Sequence, residues 1–162
     1  MIKVGDKLPE ATFTTMGDDG NPKPITTAEA FHGKKVALFA VPGAFTPTCS
    51  KQHMPGFVAN EMALKTKGLS AIYCTAVNDV FVLGAWAKDT GATGKITMLA
   101  DGSADFAKKT GLEIDLTARG LGVRSKRYSM VVDNGVVTVL NVEAAPPDHK
   151  TSSADHMLSC KF

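Results

Sequence analysis

Cysteine is scarce in this chain: there are three in 162 residues, Cys49, Cys74 and Cys160, at wide and unequal spacing with no Cys-x-x-Cys pair. That excludes a secreted disulfide framework and a structural zinc site, and it suits a reducing compartment where thiols do chemistry. Long apolar runs are also missing, and Met1-Ile2-Lys3-Val4-Gly5-Asp6 has no apolar signal core. The expectation is a soluble, cytoplasmic protein, no membrane partner, and the same appearance for a processed organelle form. No block of one charge occurs; Lys, Arg, Asp and Glu are mixed and the net charge is +2. This leaves little electrostatic basis for nucleic-acid binding and makes a small molecule the default partner. Without repeat, linker or low-complexity tract, residues 3–162 read as a single domain with one sizeable core.

What is present alternates. Lys35 to Val41 is an apolar run ending at Pro42 and reads as a buried strand. A helix from Thr46 toward Lys67 follows, interrupted by Pro55-Gly56, where the lost ladder hydrogen bond predicts a kink or bulge, and closed by Gly68. Then come a strand over Ser70 to Val77, a helix over Asp79 to Thr90, a strand over Ile96 to Ala100 and a short helix over Ser103 to Thr110 stopped by Gly111. Asn134-Gly135 between Tyr128–Asp133 and Val136–Glu143 is a strong hairpin signal. A last helix starts near Ser152 or Ser153. A βαβ half followed by a hairpin and a helix predicts an α/β, thioredoxin-like fold: a central mixed sheet flanked by helices.

The chemistry concentrates in Pro42-Gly43-Ala44-Phe45-Thr46-Pro47-Thr48-Cys49, between that first strand and its helix. Thr46 reads as the N-cap and Pro47 as the first helical residue, where a missing N–H costs nothing. Cys49 then falls in the first helical turn, where unpaired backbone N–H groups and the positive helix end favour thiolate over thiol.

These residues carry a resemblance. Pro42, Thr46 and Cys49 match the pattern Pro-x-x-x-Thr-x-x-Cys, and Arg127 opens the late strand run Lys126-Arg127-Tyr128-Ser129-Met130-Val131-Val132. His53-Met54-Pro55-Gly56-Phe57, Val77-Asn78-Asp79, Leu99-Ala100-Asp101-Gly102 and Gly120-Leu121-Gly122-Val123-Arg124-Ser125 agree in the same order. The chain resembles a peroxiredoxin of the type II class nearly end to end. The resemblance implies a thioredoxin-like fold, a thiol-dependent peroxidase acting on hydrogen peroxide and small alkyl hydroperoxides, a Cys49 sulfenic acid intermediate and a homodimer. It places Cys49, Thr46, Arg127 and Pro42 in catalysis, Gly43, Phe45 and Thr48 around the peroxide, and His53 and Arg124 behind them.

Converting a cysteine fully to thiolate gains only about thirtyfold at pH 7, about 2 kcal/mol, whereas enzymes remove at least about 8 kcal/mol from a barrier. Most of the rate must come from donors aimed at the charge that builds on the leaving oxygen. Arg127 supplies a permanent cation with several N–H groups. Thr46 offers a hydroxyl one turn before the sulfur, the Cys49 N–H adds a donor, and the Pro42 ring shields the site from water.

The sulfenic acid must then meet a thiol or be oxidised further. The animal form's resolving cysteine corresponds best to Thr151, so that internal disulfide is expected to be absent. Cys74 is a candidate resolving cysteine, but within Ala71-Ile72-Tyr73-Cys74-Thr75 it reads first as a small buried hydrophobe. Cys160 is a spare surface thiol, a trans partner or a glutathionylation site. An external thiol, glutathione with or without glutaredoxin, is the expected reductant, with thioredoxin the alternative; no cofactor or metal is expected.

Blander readings exist. Arg119 and Arg124 rival Arg127, whose place directly before an apolar strand favours it. His53 lies four residues after Cys49 on one helix face; without further ligands it reads as a hydrogen-bonded neighbour and not a metal ligand. The Gly120–Ser125 stretch does not open a helix after a strand and is no dinucleotide loop. Phe45, Phe81 and Trp86 read as core. The rival function is a non-catalytic redox sensor or chaperone that hands oxidation to a partner protein.

Overall fold

In the computed structural model, which describes residues 1–162, Asn134 and Gly135 both take positive φ (49° and 81°). That is the conformation a two-residue hairpin turn demands, and it joins the last two strands as antiparallel neighbours. Along the chain the elements are β1 (Thr12–Met16), β2 (Pro22–Thr26), α1 (Thr27–Phe31), β3 (Lys35–Ala40), α2 (Met54–Ala59), α3 (Glu61–Thr66), β4 (Ala71–Ala76), α4 (Val80–Thr90), β5 (Thr97–Ala100), α5 (Asp105–Thr110), β6 (Glu113–Asp115), β7 (Val123–Ser125), β8 (Tyr128–Asp133), β9 (Val136–Val142) and α6 (Ala154–Ser159). Seven strands form one sheet in the order β2-β1-β5-β4-β3-β8-β9, and β6 pairs with β7 apart from it. β3, β4 and β5 run parallel, and the outer pairings are antiparallel. The expected mixed sheet with a thioredoxin-like βαβ half and a terminal hairpin is what the chain forms.

Strand alternation divides the core between the two sheet faces. Ala37 and Phe39 of β3, Ile72 and Cys74 of β4 and Val131 of β8 pack on one side with Met54, Phe57, Leu83, Trp86 and Met157. Val36, Leu38, Tyr73, Met130 and Val132 pack on the other with Phe13, Phe31 and Phe106. Each fully buried large apolar side chain contributes about 1.5–3 kcal/mol relative to exposure.

Several features depart from the reading of the sequence: the β6–β7 ladder was not anticipated, and the one helix expected from Thr46 toward Lys67 breaks at Asn60, whose φ of −101° and ψ of 10° separate α2 from α3. The N-terminal hairpin β1–β2 and helix α1 were not anticipated, although Thr26 and Glu29 form a capping box whose Thr-x-x-Glu spacing is visible in the sequence. The first long helix starts at Pro47 but widens to π geometry over Cys49–His53, with the Met54 N–H bonding to the Cys49 carbonyl. The bulge expected from Pro55 is therefore placed one turn before it: proline cannot donate, and the widened turn absorbs the register.

Register brings the site together. Ala40, the last residue of β3, pairs with Tyr128, the first of β8, and Tyr128 pairs with Val142 at the end of β9. The loop after β3, Arg127 before β8 and Glu143 after β9 therefore share one end of the sheet. It is the carboxyl end of the parallel strands, where open α/β sheets hold their ligands.

Candidate active site

Thr46 stands where a helix cap stands, since the Ser50 N–H bonds to its carbonyl and Pro47 is the first helical residue. Its side chain does not cap. The hydroxyl donates to the Gly43 carbonyl at 2.6 Å, which closes the Gly43–Thr46 turn and leaves the oxygen lone pairs free to accept. The turn is held from two further sides. The Ala44 N–H donates to Asn78 Oδ1 at 2.9 Å, and Arg124 donates from Nη1 to the Pro42 carbonyl and from Nε to the Leu121 carbonyl. Gly43 leaves room for that guanidinium, since a Cβ would lie 2.9 Å from Arg124 Nη1 and push it off the Pro42 carbonyl.

Cys49 Sγ is fully buried and accepts a hydrogen bond from Arg127 Nη2 at 3.0 Å. Arg127, itself 3% exposed, donates from Nη1 to His53 Nδ1 at 3.0 Å and from Nε to the Pro146 carbonyl at 3.0 Å. The His53 Nε2 bonds to the Ser152 carbonyl at 2.9 Å. A carbonyl only accepts and a guanidinium only donates, so His53 is neutral with its proton on Nε2. Burial first, and then the Arg127 charge, hold its pKa well below the ordinary 6.5. Three Arg127 N–H groups are thus committed, one to the sulfur, and others remain for an oxygen of a bound peroxide.

Other anticipated residues fall as follows. Pro42 is buried beside the site, and Thr48 directs its hydroxyl to the Pro147 carbonyl at 3.5 Å. Arg119, the rival cation, is exposed, and Arg124 holds the loop and not the sulfur. Phe45 and Phe81 are not core: they are 54% and 66% exposed, Phe45 because the turn places it at φ 65°, Phe81 because it lies on the solvent side of α4. Trp86 is buried and donates to Ser50 Oγ at 2.9 Å. Cys74 is fully buried inside β4, between Phe39 and Met98 in the ladder, and its thiol pKa is pushed well up by burial and by the neighbouring Cys49. Cys160 is half-buried at the end of α6, its thiol donating to the His156 carbonyl.

A compact sulfur-guanidinium pair at the start of a helix, dry and backed by a neutral histidine, is equipped to attack an electrophile and to receive charge on its leaving atom. Residues 3–158 match the redoxin family model. The chain is 48% identical over 160 residues to the chloroplastic peroxiredoxin-2E of Arabidopsis thaliana, covering 97% of this chain and 68% of the relative. The chain belongs to the peroxiredoxins. Among solved structures it is similar to reduced Prx3 of Vibrio vulnificus in complex with hydrogen peroxide, at 48% identity, TM-score 0.92 and 98% coverage of each chain. It is also similar to a Burkholderia cenocepacia protein described as a putative thioredoxin reductase, at 46% identity, TM-score 0.95 and coverage of 100% and 99%. As a peroxiredoxin it is a thiol-dependent peroxidase.

Sequence reading missed Glu143, Ser152, Pro146 and Asn78 as parts of the site. Asn78 was visible within Val77-Asn78-Asp79; Pro146 and Ser152 reach the site through backbone carbonyls and Glu143 through a carboxylate bound to distant loop groups, and these leave no motif.

Proposed function

We propose that Cys49 is the peroxide-reacting residue. Its thiolate attacks the terminal oxygen of the hydroperoxide in line with the O–O bond; a sulfur–oxygen bond forms, the O–O bond breaks, and the alkoxide or hydroxide leaves with the electron pair and takes a proton. Sulfur is oxidised by two electrons to sulfenic acid. Arg127 holds sulfur and peroxide together and stabilises the developing charge, Thr46 accepts from the peroxide, and Pro42 and the closed turn keep water out. The single observation that carries this reading is the 3.0 Å contact between Arg127 Nη2 and Cys49 Sγ inside a fully buried setting.

An external thiol returns the enzyme. One thiolate attacks the sulfenic sulfur and water leaves; a second thiol then displaces Cys49 from the mixed disulfide. Glutathione, with or without glutaredoxin, is the proposed donor and thioredoxin the rival, because Cys74 is locked in the middle of a strand with a raised pKa and slow thiolate chemistry. The thioredoxin reductase description of one structural relative does not extend to this chain, whose three cysteines are unpaired and include no Cys-x-x-Cys. A homodimer is proposed from the family. No helix is long and apolar enough to cross a membrane, and the chloroplastic relatives make an organelle as fitting a place of action as the cytoplasm.

The test mixes reduced protein with one equivalent of hydrogen peroxide, quenches within a second with a sulfenic-acid trap and maps the label. Label on Cys49 supports the reading. A rapid Cys49–Cys74 disulfide would overturn the external-thiol part, and an unreacted Cys49 would transfer support to a non-catalytic redox relay.

A further inference from the structure

Nine residues, 144–152, connect Glu143 to the cap of α6, and they hold the site by their backbone. The Pro146 carbonyl accepts from Arg127 Nε, the Ser152 carbonyl from His53 Nε2, and the Pro147 carbonyl from Thr48 Oγ1. A loop of this length has many open conformations, so its carbonyls stay in place only if something closes it. Glu143 does so from both ends. Its backbone N–H donates to the Arg127 carbonyl at 2.9 Å, fixing the loop's start. Its carboxylate Oε1 accepts from the Lys150 N–H at 2.6 Å, the Ser152 N–H at 2.8 Å and the Ser152 hydroxyl at 2.8 Å, fixing its end. The residue is only 8% exposed. Burial pushes its carboxyl pKa up, but the bonds from Ser152 and Lys150 outweigh burial and hold it below the ordinary value. Hydrogen bonds to a carboxylate are about twice as strong as those to a neutral acceptor.

We infer that Glu143 is a positioning residue for the peroxidase reaction: its carboxylate closes the 144–152 loop, and through the Ser152 and Pro146 carbonyls it sets the His53 and Arg127 geometry at the sulfur. This rests on the proposed role of Arg127.

The test is a double-mutant cycle read by the second-order rate of Cys49 oxidation by hydrogen peroxide, with iodoacetamide alkylation of Cys49 as a second readout. Glu143→Gln keeps an acceptor oxygen but not the charge, and is expected to slow oxidation about tenfold, with Glu143→Ala slower still, because loosening a positioned group by about an ångström costs up to about a hundredfold. Alkylation, which needs no guanidinium at a leaving oxygen, is expected to change less than twofold. In an Arg127→Ala background, Glu143→Gln is expected to change oxidation less than twofold. Wild-type oxidation in Glu143→Gln, or an equal loss in both backgrounds, would overturn the inference. If Glu143→Gln fails to fold, Ser152→Ala removes one of the three contacts; it is expected to slow oxidation a few-fold, again only when Arg127 is present, and no loss would overturn the inference. An Arg127→Ala protein as fast as wild type would instead overturn the underlying reading of Arg127.

Discussion

Cys49 and Cys74 pack on the same face of the sheet, both without solvent exposure, in surroundings that differ in kind. Around Cys49 the chain has left the sheet: a turn clamped by Asn78 and Arg124, a π-widened helical turn and a guanidinium 3.0 Å from sulfur. Around Cys74 the backbone is paired on both sides in parallel ladders, and burial dominates in holding the thiol pKa up. Burial alone therefore says little about what a thiol does. A desolvated sulfur with a fixed cation is set up to react, whereas one buried within a paired strand without a bonded cation has its thiolate suppressed.

The largest test of that contrast exchanges sulfur for oxygen at each position. Cys49→Ser is expected to abolish peroxide consumption, while Cys74→Ser leaves single-turnover oxidation of Cys49 within about twofold; a stopped-flow peroxide assay measures both. Next, Arg127→Ala is expected to slow Cys49 oxidation at least about a hundredfold, the usual cost of losing one donor at a developing oxyanion, with the thiol still alkylated by iodoacetamide. An unchanged rate would erase the distinction between the two sulfurs.

A third test uses acid. His53 has a folded pKa well below 6.5, held down by burial and by Arg127, and His149, its ring 5.0 Å away, is lowered by the same two causes. Below pH 6.5 the unfolded chain binds protons that the folded site refuses. Stability is therefore complete above that pH and falls as pH drops through the lowered folded values. Urea midpoints across pH 7.5 to 5 are expected to decline in the wild type and to decline less in His53→Gln; parallel curves would show that the site is not where the protons are excluded. The smallest effect is on the quiet side: Cys74→Ala is expected to cost about 1 kcal/mol in urea unfolding, the transfer and packing of one small group.

Local chemistry made much of this legible. Asn134-Gly135 allows few conformations, Pro47 after Thr46 marks a helix start, and Arg127 before an apolar strand identified the buried cation over the exposed Arg119. What stayed hidden depended on long-range partners. The Thr46 hydroxyl donates to the Gly43 carbonyl instead of accepting from an N–H of its own helix, and the hydrogen-bond shift that makes the π segment depends on packing as well as on Pro55. Phe81 could not be separated from a core aromatic because α4 is apolar on most sides.

The site leans on carbonyls of residues 146, 147 and 152, and a carbonyl is the one functional group that every amino acid brings. Mutation cannot delete such a group, and residue-by-residue comparison cannot see it. Apart from Ser152, whose hydroxyl meets Glu143, the loop's side chains are thus free to diversify while its path is retained. Transplanting this chemistry onto another scaffold would require copying the course of the chain from 144 to 152 and the Glu143 and Ser152 side chains that pin it, more than its other letters.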